Sequence, residues 1–225
     1  MAAVFTPRTV RFLRTLARNN DREWFKAHKA EYEQDVQAPM VAVVARLADD
    51  FAGFAPELVA DPRVSLFRIY RDTRFSEDKS PLKTHIGAHF PTRGFPKGEG
   101  AGLYFEVAPT GIWIGGGLYR PPTAALVRLR EAIALNPKKL QKIVTAPAFK
   151  DAVGALDGER LKGVPRGYPA DHPAADLLKF KQFIAGTERE AAYASDPGFY
   201  PDLLKVFRAV LPLVRYLNAA LAPLK

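Results

Sequence analysis

The chain has 225 residues, of which 48% are apolar, enough to bury the core of one large domain. It contains no cysteine, which excludes disulfides, thiolate nucleophiles and cysteine-ligated zinc or iron–sulfur centres. With 33 Lys and Arg against 24 Asp and Glu, the formal charge is +9, which favours anionic partners.

The first twenty residues are cationic and amphipathic, and they contain no acidic residue. Transit peptides share this composition, but Phe12, Leu13 and Leu16 recur at the spacing of a helix that packs on a core. We therefore predict a helix over residues 7–18. No uncharged apolar run approaches the ~18 residues that a membrane helix needs, so we expect a cytoplasmic protein with no membrane partner.

A second helix is predicted just after the first. Asn20 and Glu23 have the spacing of a capping box, with Asn20 as the N-cap. The predicted helix covers residues 21–36, Pro39 marks a break or kink, and a continuation runs from Met40 to Phe51.

After Pro56 the hydrophobic period changes from that of a helix to two, which is typical of strands. The predicted strands are Ser65–Arg71, Lys83–Phe90, Leu103–Ala108 and Ile112–Tyr119. Pro109-Thr110-Gly111 joins the last two as a hairpin. The apolar face of this hairpin would consist of Leu103, Phe105, Val107, Ile112, Ile114 and Leu118, and its opposite face of Tyr104, Glu106, Trp113 and Tyr119.

The rest of the chain returns to helical patterns. The predicted helices are Pro122–Leu135, Pro137–Ala155, Ala174–Ile184 and Pro197–Leu221. Helices, a run of strands and then helices again indicate an α+β fold rather than an alternating parallel fold. We predict one domain over residues 1–225, with a mainly antiparallel sheet of about four or more strands in the middle of the chain.

The segment Arg68–His89 concentrates chemistry-bearing side chains. It holds five Lys or Arg, three Asp or Glu and two His, and the two predicted strands deliver them to one connecting loop. We predict that it binds a small anionic ligand. The predicted ligand-binding residues are Arg68, Arg71, Asp72, Arg74, Ser76, Lys79, Lys83 and His85.

Individual roles follow from side-chain chemistry. Arg71 and Arg74 offer planar donors to a phosphate or carboxylate. His85 and Asp78 are the candidates for proton transfer, but the sequence leaves open whether there is a reaction. The alternative is an Arg–Asp network that only fixes the loop.

The other patterns in the sequence do not indicate a cofactor or a metal, and we expect neither. Ser76–Lys79 and Ser80–Lys83 match S-x-x-K, but the second pair contains Pro81 and the companion motifs of serine acyl-enzymes are missing. His85 and His89 on one strand would lie about 13 Å apart, too far to share an ion. Gly115-Gly116-Gly117 lacks a nucleotide-binding frame and favours a bulge or a tight bend in the sheet.

Three segments together carry a family resemblance. The chain resembles the uncharacterised family labelled domain of unknown function 2461 in Asn20–Phe25, in Arg68–His89, and in Gly167-Tyr168 with Asp171-His172-Pro173 followed by Leu177-Leu178-Lys179. This chain has Leu82 where the family often has an aromatic residue. The resemblance implies one α+β domain of a family found in bacteria and some fungi. It brings no activity, cofactor or catalytic residue.

Three functional hypotheses remain after the sequence. The first is a protein that binds or acts on a small phosphorylated or otherwise anionic ligand, with Arg120 and Arg166 as outer contacts. The second is a nucleic-acid-binding module that uses the C-terminal half, where residues 111–225 carry 17 Lys and Arg against 10 Asp and Glu. The third is a structural or assembly protein in which the segment locks a loop.

Overall fold

A computed structural model of the chain describes residues 4–74, 76–96 and 98–222, and about half of the chain is helical. The helices are α1 (Pro7–Arg18), α2 (Arg22–Ala27), α3 (Lys29–Tyr32), α4 (Ala38–Phe54), α5 (Pro62–Ser65), α6 (Thr123–Leu135), α7 (Pro137–Val144), α8 (Pro147–Val153), α9 (Ala175–Leu178) and α10 (Phe199–Leu221). Within the described ranges, no helix is both long and apolar enough to cross a membrane.

One antiparallel sheet occupies the middle of the chain. Its strands are β1 (Ile86–Pro91), β2 (Gly102–Val107), β3 (Ile112–Leu118) and β4 (Phe183–Arg189), and they lie in the order β1-β2-β3-β4. Helices precede and follow the sheet in sequence, which confirms the predicted α+β class. The predicted hairpin is confirmed to within a residue at each end, and its six predicted inward side chains are all buried.

The fourth strand was not predicted. The predicted helix Ala174–Ile184 is wrong beyond Leu178, because α9 has only four residues and β4 begins at Phe183. Phe183 and Ala185 are buried, while Ile184 between them is half-buried, so the period here is two. Gly117, at φ +130°, lets the backbone of Phe183 approach to a distance that a Cβ would obstruct.

The predicted strand Ser65–Arg71 is not a regular strand. Its first residue ends α5, and the rest pairs with the chain around β1 through two isolated bridges, Leu66–Ala88 and Tyr70–Leu82. Between these bridges, the five residues 66–70 face the seven residues 82–88. The two extra residues form a bulge, which is why β1 begins at Ile86 and not at the predicted Lys83.

The helical segments also differ from the prediction in detail. Asp21, not Asn20, caps α2, because its carboxylate accepts the Trp24 backbone N–H at 2.8 Å. The predicted helix over residues 21–36 is divided into α2, α3 and a π-helical turn, Glu33–Gln37, which leads into α4. Pro39 lies in the first turn of α4, directly after this π-helical turn, and prolines and π-helical turns are both known causes of kinks in helices.

The chain falls into two compact units. The first covers the described parts of residues 1–90, 104–114 and 188–204, and the second those of residues 91–103, 115–187 and 205–225. The core of the first unit includes Phe5, Leu13, Leu16, Met40, Val44, Leu47, Phe51, Phe90, Phe105, Phe199 and Leu203. The core of the second includes Leu129, Ile133, Leu140, Phe149, Leu178, Phe183, Phe207, Val210, Leu213 and Leu217. That the chain forms a single domain stays a prediction.

Candidate functional site

The segment Arg68–His89 lies in the first unit, where a bulged antiparallel pair supports an irregular loop. The Arg71 N–H donates to the Pro81 carbonyl at 2.9 Å, and the Lys83 N–H donates to the Ile69 carbonyl at 2.8 Å. These bonds close the base of residues 72–80, which we call the outer loop. Phe75 of this loop lies outside the described residues.

Arg71 lies at the base of the outer loop and binds within it. Its guanidinium donates to the Asp78 carboxylate and, at 3.3 Å, to the Ser76 hydroxyl. Asp78 also accepts the Ser80 backbone N–H at 2.9 Å. Hydrogen bonds from Ser80, and then from Arg71, lower the pKa of Asp78. This carboxylate is therefore ionised at neutral pH and committed to loop contacts.

The other outer-loop cations also have local partners. Arg74 binds Asp72 through two donors, Nε at 3.0 Å and Nη2 at 2.8 Å, and this lowers the pKa of Asp72 to about 2. Lys79 Nζ donates to the Thr73 carbonyl at 3.1 Å. Neither S-x-x-K pair lies on a helix. The described part of the outer loop thus has the form of the predicted Arg–Asp network.

Lys83 lies below the outer loop and is placed differently. Its Nζ donates to the Arg68 carbonyl at 2.7 Å and lies 5.0 Å from the centre of the Phe67 ring. Burial lowers the pKa of Lys83, and the positive charges of Arg68 and Arg71 lower it further. Among the described residues, no carboxylate forms an ion pair with this ammonium group.

His85 lies beside a carboxylate on the neighbouring strand, β2. Its Nε2 lies 3.6 Å from an oxygen of Glu106, and the same oxygen accepts the hydroxyl of Tyr104. Burial lowers the pKa of His85, Glu106 opposes this, and the charges of Lys83 and Arg71 lower it again. Burial and the nearby Glu106 raise the pKa of Tyr104, so its hydroxyl stays protonated and donates. His85 is accordingly neutral at pH 7.

Gly87 allows Tyr104 to take this position. A Cβ on Gly87 would lie 2.7 Å from the Tyr104 hydroxyl and 3.2 Å from its ring, so the tyrosine lies directly over the glycine. Tyr104 and Glu106 were predicted on the face of β2 opposite the apolar side chains, which agrees with their half-buried positions, but they were not predicted as neighbours of His85. Alternation within one strand gives the face of a side chain, whereas the register between two strands depends on tertiary pairing.

Asn20 binds the strand that follows the outer loop. Its amide donates to the Leu82 carbonyl at 3.0 Å, and its carbonyl accepts the Leu82 N–H at 3.1 Å. Nearby, the ring of Phe25 meets that of Tyr70 edge to face at 5.9 Å. Two of the segments that carry the family resemblance therefore contact each other, and Asn20 positions the site rather than a helix end.

The two predicted outer contacts of the ligand lie in the second unit. Arg120 and Arg166 both belong to it and are exposed, and the Arg120 guanidinium lies 5.1 Å from the centre of the Tyr119 ring. Gly116 lies where the backbone of Gly102 approaches, so the close packing of neighbouring strands explains this glycine. In the described ranges, no three His, Asp or Glu side chains are grouped as a metal site would require.

Comparison with known proteins identifies the family of the chain. Residues 8–216 match the family described as a conserved hypothetical protein, DUF2461. Neither a curated protein nor a solved structure matches the chain. The match covers nearly the whole sequence and includes the segments Asn20–Phe25 and Arg68–His89, which confirms the resemblance seen in the sequence. The chain therefore belongs to the DUF2461 family.

Proposed function

We propose that the protein binds a small phosphorylated or otherwise anionic ligand at Arg68, Lys83 and His85. The environment of Lys83 carries the proposal. This ammonium group is partly buried, lies near two guanidinium groups and has no ion-paired carboxylate among the described residues. A bound oxyanion would accept its remaining N–H donors and offset the repulsion between the cations.

Arg68 supports the same location. Its side chain is exposed, and its guanidinium makes no hydrogen bond with any described residue. Guanidinium groups bind phosphate and carboxylate through two parallel hydrogen bonds. The Arg68 carbonyl already accepts a hydrogen bond from Lys83. The main chain of Arg68 would therefore position Lys83 for the ligand, and the side chain of Arg68 would bind the same ligand directly.

The side chains of the outer loop would mainly hold the loop in place and would not contact the ligand directly. Arg71, Asp72, Arg74, Ser76, Lys79 and Asp78 bind one another or the loop backbone. Arg71 still adds positive charge to the environment of Lys83 and His85. Its proposed role is to hold the loop closed and to raise the electrostatic potential at the anion.

His85 would respond to the ligand by taking up a proton. Burial and then the nearby cations lower the pKa of this neutral imidazole, so it becomes easier to protonate when an anion neutralises those cations. Glu106, 3.6 Å away, would stabilise the imidazolium that forms. The His85–Glu106 pair is accordingly the place where proton transfer to or from the ligand would occur.

Isothermal titration calorimetry with inorganic phosphate tests the proposal, using wild type, Lys83→Gln and the control Lys26→Gln. Lys26 is an exposed residue of α2 in the same unit, so the control loses the same charge away from the site. We expect Lys83→Gln to weaken binding about tenfold or more, a change of about 1.4 kcal/mol, and Lys26→Gln to change it less than about twofold. No binding to wild type, or equal losses in the two variants, would contradict the proposal.

A further inference from the structure

We infer that the ligand of this site is an aryl oxyanion, a phosphate or carboxylate attached to an aromatic ring that lies in a groove beside Arg68. The inference rests on the proposed anion site and adds the class of its ligand. The groove has a volume of about 640 Å³, within the range of about 300–1,000 Å³ typical of small-molecule sites.

Four aromatic side chains form part of the groove wall. Phe25, Tyr32, Phe67 and Tyr70 line it together with the aliphatic Val41. The Phe25 ring lies edge to face against Tyr32 at 5.2 Å and against Tyr70 at 5.9 Å, so three of these side chains form one packed cluster. Aromatic rings prefer such edge-to-face and offset contacts with another ring, which favours an aromatic occupant.

The groove leaves large apolar side chains in contact with solvent. Phe67 is 43% exposed and Tyr70 is 48% exposed, and the two lie three positions apart in the sequence. A ring placed between these side chains would remove apolar area from water on both sides.

The polar residues of the groove select for negative charge. Lys29, Arg63 and Arg68 line it against one acidic residue, Glu33. Lys29 and Glu33 pair with each other at 3.4 Å, so the charge that remains is that of the two arginines. An apolar occupant of this groove is therefore expected to carry an anion.

Phe67 and Arg68 connect the groove with the proposed anion site. Both residues line the groove, and both contact Lys83. Lys83 Nζ lies 5.0 Å from the centre of the Phe67 ring and donates a hydrogen bond to the Arg68 carbonyl at 2.7 Å. An oxyanion bound at Lys83 and Arg68 thus lies at the border of the groove. One ring attached directly to the anion would reach the aromatic wall.

Two matched pairs of ligands test the inference by calorimetry: phenyl phosphate against methyl phosphate, and benzoate against acetate. Within each pair the anionic group is the same and only the ring differs. We expect wild type to bind the phenyl member of at least one pair about tenfold more tightly than its partner, since burial of a ring contributes on the order of 1–2 kcal/mol. The pair that shows the gain identifies the anionic group.

Val41→Phe provides the variant control, because Val41 lines the groove and is only partly buried. The larger side chain should fill the groove, reduce the gain from the ring to less than about threefold and leave methyl phosphate or acetate binding intact. That retained binding also reports that the variant is folded. Equal affinities within both pairs in wild type, or an undiminished gain in Val41→Phe, would overturn the inference while the anion site stands. Failure of all four ligands to bind would overturn both.

Discussion

Gly87 determines where Tyr104 can lie, and through it the position of Glu106. We expect Gly87→Ala to displace Tyr104 and break its hydrogen bond to Glu106, because the new Cβ would lie 2.7 Å from the hydroxyl. Phe67 and Trp113 contact the tyrosine ring at 6.0 and 5.8 Å and restrict its movement. Urea unfolding should show a loss of about 1–3 kcal/mol.

Gly53→Ala is the matched control for this substitution. Gly53 lies in α4, and a Cβ there would meet no atom within 4 Å. Because alanine is favoured over glycine in a helix, this variant should be unchanged or more stable by up to about 1 kcal/mol. Similar losses in the two variants would show that Tyr104 is not held against Gly87.

His85 should give the protein a defined sensitivity to acid. Burial lowers the pKa of His85 below its ordinary value of 6.5, so the unfolded chain binds this proton more readily than the folded protein does. The stabilisation is complete above pH 6.5 and is lost as the pH falls towards the lowered value. We expect His85→Gln to lose less stability than wild type between pH 7.5 and pH 5.5 in urea unfolding. An equal or larger loss would contradict the neutral state of His85.

Asn20 links the start of α2 to the end of the outer loop, an interaction between elements. Asn20→Ala removes both hydrogen bonds to the main chain of Leu82, whose side chain is only 1% exposed. We expect a loss of about 1–3 kcal/mol in urea unfolding, since buried main-chain groups are left without partners. Asn20→Asp keeps the acceptor and loses the donor, so it should fall between wild type and Asn20→Ala. An unchanged Asn20→Ala would mean that α2 does not position the loop.

The elements that the sequence predicted well are those with local causes. The β2–β3 hairpin follows from alternation in each strand and from Pro109-Thr110-Gly111 between them, all within a short stretch of chain. Helix α1 likewise follows from its own apolar stripe. Such patterns depend only on residues that are close in the sequence, so they can be recognised without knowledge of the fold.

The elements that the sequence missed depend on distant partners. β4 requires the close approach to Gly117, and the chain before β1 is bulged because residues 82–88 pair with a shorter segment. The amide of Asn20 binds the main chain of Leu82 and does not cap the adjacent helix, although Asn20 and Glu23 have the spacing of a capping box. In each case a tertiary contact outweighs the local preference.

The site was predictable in composition but not in arrangement. The segment Arg68–His89 stands out in the sequence by its charged residues, which are compatible with either a ligand site or an internal Arg–Asp network. In the structure, Arg74 and Lys79 take part in internal contacts, while Lys83 has no ion-paired carboxylate among the described residues. Glu106 enters from β2 through strand register, which a single sequence does not specify.

The charge of the whole molecule makes a separate prediction about nucleic acid. A net charge of +9, with an excess of seven over residues 111–225, should attract polyanions without selecting them. We expect a short single-stranded oligonucleotide to bind weakly, to dissociate between 50 and 200 mM salt, and to bind wild type and Lys83→Gln alike. Fluorescence anisotropy measures this. Salt-resistant binding, or binding that depends on Lys83, would instead support a nucleic-acid-binding module.

The most direct test of the anion site is a crystal structure of the protein with saturating phenyl phosphate. We expect phosphate oxygens at about 3 Å from Lys83 Nζ and from the Arg68 guanidinium, with the ring against Phe67. A phosphate bound elsewhere, or no phosphate at Lys83 under these conditions, would contradict it.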